Sequence, residues 1–357
     1  MPKIIDLIKP EILGEYYNTT SLNDEPYFGE SVFPADKKVG LDLSFIKGAG
    51  ENTVLLKPSA FDSIAELRDR LNIETFETEM PLFRESMQIK EKEAQELMRL
   101  LNAPNTDAYV KAAIKVVYDD VANLVRSARR TAERMRMELL ATGKIAIASV
   151  KNGVGSAYNY DYTAGTDFAT KNQETLTSTA TWDKAATATP IQDLRRWQDA
   201  IEDLTGTRPT NAIMTRKTLS YILAADEVKN HFTALNGGGR IISEKAVREL
   251  LMEELGLTIY VYNKKYTDYD GTMKNYFPDN KVTLFPDGDL GKTWYGTTNE
   301  EAQLMSGANT NVSVVDTGVA ILSTINPHPV NETVYVAEIV LPSFERMNQI
   351  FIATVAE

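Results

Sequence analysis

Cysteine is absent from the 357-residue chain. That absence removes disulfides, thiolate nucleophiles and cysteine-based zinc or iron–sulfur sites together. Packing, hydrogen bonding and assembly are left to hold the protein together. Histidine is scarce as well: His231 and His328 stand alone and far apart. Families that need a histidine base or a multi-histidine metal site are nearly excluded. Long apolar runs are also missing. The opening MPKIIDLIKPEILGEYY is interrupted by Asp6, Lys9 and Pro10, so it has no signal-peptide core. Nothing approaches the roughly 20 apolar residues of a membrane span. A protein made and kept in the cytoplasm is the expectation. Basic residues are the minority, 38 Lys plus Arg against 50 Asp plus Glu, for a net charge of −12. Such a surface aids solubility and disfavours a tight non-specific grip on nucleic acid or anionic lipid.

What is present is ordinary globular material, 43% hydrophobic and 25% charged. The length suits about two or three domains. Residues 1–36 read as an arm. Ile4, Ile5, Ile8 and Ile12 could line a short helix, limited by Pro10 and Gly14. Asn18 to Pro34 is polar and turn-rich and cannot build its own core, so it is either mobile or ordered by lying on another surface. Val39, Leu41, Leu43 and Phe45 alternate with small and polar residues, which is strand spacing. Gly48-Ala49-Gly50 makes a turn, and Thr53 to Leu56 reads as the returning strand. The bland reading is a sheet edge. The sharper one is a projecting loop, because no third β-run is expected to follow, and a lone hairpin needs a partner surface.

Helical spacing continues through Ile64, Leu67 and Leu71, then through Ala94, Leu97, Met98 and Leu101. The most informative segment is Thr106 to Gly143. Thr106 suits the cap, Asp107 the positive end of the dipole, and Gly143 the position after the last turn. Between them lies no Gly or Pro, and Val117, Val121, Leu124, Ala128, Ala132, Met135 and Leu139 form one apolar stripe. Arg126, Arg130 and Arg134 fall opposite it, with Arg129 and Arg136 at its border. A straight helix from Asp107 to Thr142 would be about 54 Å long, matching the roughly 53 Å diameter of a compact globule of this chain length. An elongated or flat protein is therefore expected.

Beyond Gly143, Lys144 to Val150 and Tyr158 to Tyr162 read as strands, and Thr163 to Thr189 as a polar excursion or linker. Pro190 opens a helix that stops at Gly206, while Thr215 and Ser243 are the expected caps of two more. With strands at Asn211–Met214, Leu257–Tyr262 and Val282–Phe285, the block from Pro190 to Ile325 reads as an inserted α+β domain. Runs at 334–340 and 349–355 are expected to complete the sheet begun near residue 145.

No motif carries catalysis. Gly237-Gly238-Gly239-Arg240 lacks the Lys-Ser/Thr ending of a phosphate loop. Asp287-Gly288-Asp289 lacks the later ligands of a calcium loop and reads as a turn. Asp119 and Asp120 point about 100° apart on a helix. Trp182, Trp197 and Trp294 read as packing anchors. Basic residues outnumber acidic ones by three from Asp107 to Lys144, which reads as a solvated face or inter-subunit ion pairs, with weak nucleic-acid contact as the sharper option. No catalytic residue, cofactor-binding residue or metal ligand is assigned, and no cofactor is expected.

The order of segments resembles a known family. FETEMPLFRESMQIKEKEAQEL (Phe76–Leu97), MRMELLATGKI (Met135–Ile145), VTLFPDGDLGKTWYGTTNEEAQL (Val282–Leu304) and the INPHPV stretch are similar to tailed-bacteriophage major capsid proteins of the lambda gpE-like group, with the HK97-type shell fold. The resemblance implies an α+β fold with an N-terminal arm (1–36), an E-loop (37–75), a peripheral P-domain (76–189 and 326–357) carrying the spine helix 107–142, and an axial A-domain (190–325). It implies a homo-oligomer of pentamers and hexamers in an icosahedral head, with scaffolding and portal partners and weak contact with packaged DNA. Lys47, Gly48, Ala49 and Gly50 of the E-loop become candidates for inter-subunit contact, and Arg126, Arg130 and Arg134 for facing the genome. An encapsulin-like cargo shell shares the fold and stays open as an alternative. A carboxylate-dependent hydrolase and a tail-tube protein are further alternatives.

Shortening the E-loop across Lys47 to Thr53 tests this reading. Thermal unfolding of the subunit should change little, while particle yield should fall steeply. A subunit that unfolds, or a yield that stays intact, counts against the E-loop reading.

Overall fold

One α-helix runs from Asp107 to Thr142 without interruption, as the absence of Gly and Pro predicts. Gly143 ends it in the left-handed region, at φ +71°, and donates its N–H to the Leu139 carbonyl at 2.7 Å. The computed structural model describes residues 9–22, 24–46, 75–101, 107–151, 154–236, 242–307, 311–327 and 330–356. The E-loop candidates Lys47–Gly50, the returning strand at 53–56, Ile64 to Leu71, Thr106, Gly237–Arg240 and His328 lie outside them. Two compact units emerge, each gathered from three stretches of chain. The first takes Met1–Leu43, Glu77–Arg136 and Lys292–Ser343; the second takes Ser44–Phe76, Met137–Gly291 and Phe344–Glu357. The division differs from the expected insertion of 190–325: residues 292–325 belong with the first unit, because their strands pair there.

The first unit is built on a six-stranded sheet. Its long strand, Val330–Pro342, pairs antiparallel with Val319–Pro327 along one side. Along the other side Leu82–Ile89 and then Thr293–Tyr295 follow one another. Ala35–Lys37 adds parallel to Thr293–Tyr295, and Val312–Val315 closes the opposite edge. Leu82–Ile89 and its neighbour Thr75–Glu79 correct the expectation that no β-run follows the hairpin. Their polar-rich alternation, one face on the core and one wet, carries little hydrophobic signal. Val334, Val336, Ile321 and Val319 cover the stripe Val121, Val125 and Ala128 of the long helix.

The described part of the arm takes the ordered alternative, lying on another surface of its chain, while Ile4, Ile5 and Ile8 lie outside the described residues. Pro10 starts a helix, Pro10–Ser21, instead of ending one, because its missing N–H costs nothing at the first position. The helix buries Leu13 and Tyr17, while Ile12 of the expected apolar face is exposed. Gly14 continues the helix; a Cβ there would lie 2.9 Å from Ser313 Oγ.

The second unit holds a five-stranded sheet in the order Gln173–Thr175, Phe351–Thr354, Lys281–Phe285, Asn211–Met214, Thr258–Val261. Pro190–Thr205 packs on it through Leu194, Trp197 and Ile201. Thr215 and Ser243 cap their helices as predicted, accepting from the N–H groups of Thr218 and Ala246. The stretch Thr163–Thr189 is not a linker. Trp182 within it is fully buried, stacks on Trp197 at 5.8 Å, and donates its indole N–H to Asp193 at 3.0 Å. The sheet near residue 145 is a hairpin of its own, Lys144–Lys151 with Val154–Asp161. The two C-terminal runs therefore do not complete it; they enter two other sheets.

Trp197 joins Trp182 and Phe351 in one stack, the last at 5.5 Å. W197A should destabilise this sheet by about 3–5 kcal/mol, whereas Y260A at an exposed position should stay within about 0.5 kcal/mol. Hydrogen exchange of the strand amides checks both values.

Candidate functional site

The long helix places Arg129, Glu133 and Arg136 at steps of four and three, on one face. This face is not the solvated border that sequence spacing suggests. Glu133 and Arg136 are buried, at 0% and 1% exposure. A buried ion pair persists only when further hydrogen bonds satisfy both partners, and here they do. Arg136 Nη1 lies 3.5 Å from Glu133 Oε2 and 4.0 Å from Glu30 Oε1. Its Nε donates to Thr293 Oγ1 at 2.8 Å, and that hydroxyl donates to the Phe33 carbonyl at 2.9 Å. The second oxygen of Glu133 accepts the backbone N–H of Gly29 at 3.1 Å. Gly29 permits this approach: a Cβ there would sit 2.4 Å from Glu133 Oε2 and 2.7 Å from Arg136 Cδ.

The same face extends the pairing outward. Arg129 meets Glu30 at 3.0 Å, with Tyr27 under its guanidinium at 5.9 Å. Arg126 meets Asp24 at 2.8 Å. Tyr17 donates to Asp316 at 2.7 Å, a residue held at φ +50° in the turn between two strands, where Asp is tolerated. Burial, and then this hydrogen bond, push the Tyr17 hydroxyl well above its usual range. The arm from Asp24 to Phe33 is thus stitched to the helix by charge, and its Val32 and Phe33 are buried as well.

Glu338 stands apart. It is 2% exposed, and neither carboxyl oxygen has a hydrogen-bond partner. Burial raises its pKa well above the carboxylate range, Arg136 opposes the rise, and Asp316 adds to it. Burial likewise raises Tyr295, against Arg136 and with Glu338. Burial without a partner thus favours the neutral acid at Glu338. Beside the sheet, Glu300 pairs with Arg84 at 2.5 Å and Glu301 with Lys37.

This arrangement fastens chain segments; it presents no nucleophile beside a base. Among the described residues no group of three or more His, Cys, Asp or Glu could hold a metal, and no helix is long and apolar enough to cross a membrane. Asp287-Gly288-Asp289 is a turn, its Asp287 and Asp289 carbonyls accepting from Arg346 at 2.9 and 3.3 Å. Of the arginines placed opposite the apolar stripe, Arg126 is occupied by Asp24, Arg134 is half-buried and Arg130 is exposed. Trp294 is half-buried and donates to Ser343 at 3.1 Å. Sequence reasoning missed Gly29, Glu133, Arg136 and Glu338. The lone Glu in the apolar run VYVAEIVLP was a readable signal for the last; Gly29 offered none.

Two solved structures share this architecture. One is described as a prophage capsid protein of E. coli CFT073, 17% identical, covering 98% of this chain and 99% of that one, with a TM-score of 0.61. The other is a phage-related protein of Bordetella bronchiseptica RB50, 12% identical over 97% of both chains, with a TM-score of 0.54. They define the class: this is the HK97-type capsid fold. No curated protein sequence matches the chain. The model of the phage major capsid protein E family matches residues 12–355, and the chain belongs to that family. It is a shell-forming structural protein of the phage virion and not an enzyme, and it acts as a homo-oligomer.

Two substitutions test the cluster. R136M leaves the Glu133 carboxylate buried without its cation and should cost about 3–5 kcal/mol in denaturant unfolding. E338Q acts through pH. The folded state holds the Glu338 proton more tightly than the unfolded chain does, so its stabilisation is full below the unfolded carboxyl range and is lost as pH rises through the elevated value. E338Q should therefore flatten the decline in melting temperature from acid to neutral pH. An unchanged pH profile would show that Glu338 is not buried as the acid.

Proposed function

We propose that the chain builds the icosahedral head shell of a tailed bacteriophage and encloses its DNA genome, assembling in the host cytoplasm with scaffolding and portal proteins. The family match over residues 12–355 carries this reading. Residues 1–36 serve as the N-terminal arm and 37–75 as the E-loop, with Lys47, Gly48, Ala49 and Gly50 in contact with a neighbouring subunit. The spine helix belongs to the peripheral domain of 76–189 and 326–357, and the axial domain is drawn from 190–325. Repeated contacts of this kind between identical subunits close a shell. Arg126, Arg130 and Arg134 face the packaged DNA. The exposure of Arg130 supports its part, and the ion pair of Arg126 with Asp24 makes that residue the weakest of the three. A contact of this kind grips phosphate and reads no sequence.

Electron microscopy and nucleic-acid analysis of particles assembled with the phage's own head proteins test the reading. Closed isometric shells containing DNA are expected. Shells that contain an enzyme and no DNA would move the protein to the cargo-shell alternative. A monomer at every concentration, with those partners present, would overturn it.

A further inference from the structure

A short run of the first unit, Tyr295 to Glu301, touches both the chain that enters the segment 37–75 and the chain that leaves it. Neither the family match nor the sequence reading gives this run a role. On the incoming side, Glu301 pairs with Lys37, and the Tyr295 carbonyl accepts the Lys38 N–H at 2.8 Å. Gly40 then turns the chain at φ +93°, and its carbonyl lies against Gly296. A Cβ on Gly296 would sit 2.7 Å from that oxygen and 2.6 Å from Ile339 Cγ2. On the outgoing side, the Met80 side chain closes on the same place, 3.0 Å from that Cβ position, and Glu300 pairs with Arg84 at 2.5 Å. The two sides are tied to each other where the Met80 N–H donates to the Leu41 carbonyl at 2.8 Å.

The two carboxylates are the costly part of this junction. Glu300 is 9% exposed and Glu301 4%, and each leaves its second oxygen buried without a hydrogen-bond partner. Their cations stay within reach of water, the side chains of Arg84 and Lys37 being 43% and 31% exposed. Pairs of this kind return little net stability, because desolvating the carboxylate offsets the attraction. What they supply is direction, which an apolar contact lacks. Thr298 accepts the Glu301 N–H at 3.3 Å and starts the helix Asn299–Met305. Adjacent residues on its first turn point about 100° apart, so one carboxylate reaches each side of the segment.

We infer that Glu300 and Glu301 are positioning residues for the segment 37–75: with Gly296 they fix where its two ends stand, and so the direction in which it leaves its own subunit. The inference rests on the E-loop reading of that segment. Closed symmetry requires the same geometry at every repeat of a contact. A loop with loosened ends therefore lowers assembly more than it lowers folding.

Because the chain has no cysteine, V39C and Q88C place two spin labels without interference. Val39 is 86% exposed on the incoming side, and Gln88 is exposed on the strand Leu82–Ile89. In free subunits, E300Q/E301Q should widen the distribution of label-to-label distances at least twofold and move the melting temperature by less than about 3 °C. Without the labels, the same variant should lower particle yield at least fivefold. K37M/R84M, which removes the pairing from the other side, should widen the distribution likewise. A width equal to the parent's in either variant would overturn the inference, whatever the yield. So would an unchanged yield at increased width. A larger fall in melting temperature for E300Q/E301Q would make the pair a support of the fold and overturn it as well. Shortening the loop across Lys47 to Thr53 separates the two readings. If that leaves yield intact, the E-loop reading fails and takes this inference with it; if it lowers yield while E300Q/E301Q does not, only this inference fails.

Discussion

The first unit depends on a charge taken out of water. Arg136 has 1% of its surface exposed, and moving a guanidinium into such a place costs several kcal/mol unless each donor finds a partner. Glu133 and Thr293 answer it directly, with Glu30 4.0 Å away. These partners come from the long helix, from a sheet strand and from the arm. Each is held by a further bond, so desolvating one guanidinium fixes the position of three chain segments. An apolar contact would have stabilised the same junction without specifying it, because hydrophobic attraction has no direction. Hydrogen bonds to a planar cation do have direction.

Around that point the arm takes shape. Asp24, Tyr27 and Glu30 reach Arg126 and Arg129, and Gly29 lies against the Glu133 carboxylate. Further up the arm, Tyr17 reaches Asp316. This accounts for a segment too polar to fold by itself yet ordered in the protein. For a shell protein such a clamp has a use. A subunit that must meet neighbours in a fixed orientation benefits from segments held by geometry more than by area.

Glu338 and Arg136 illustrate opposite answers to the same cost. Arg136 keeps its charge and gathers partners, because a guanidinium does not give up its proton in a protein. Glu338 finds no hydrogen-bond partner, and burial there favours its neutral form, the cheaper course for a carboxyl. The two sit close enough for the cation to pull against that neutrality.

Local rules alone determined much of this protein. The helix Asp107–Thr142, its glycine stop, the helix opening at Pro190 and the caps Thr215 and Ser243 follow from nearest neighbours along the chain, where periodicity and propensity act. The family resemblance was legible for a related reason: the order of those segments survives in the sequence. Pairing of distant segments was not legible. The strand Leu82–Ile89 looks polar because one face is wet, and only Val330–Pro342 beside it makes it a strand. Pro10 could start a helix or stop one, and the packing of Leu13 and Tyr17 decided. The two C-terminal runs look alike in composition yet enter different sheets. The site was the least readable part. Burial turns Glu133 and Arg136 from surface charges into a clamp, and burial is a property of the packed chain, set by segments a hundred or more residues apart.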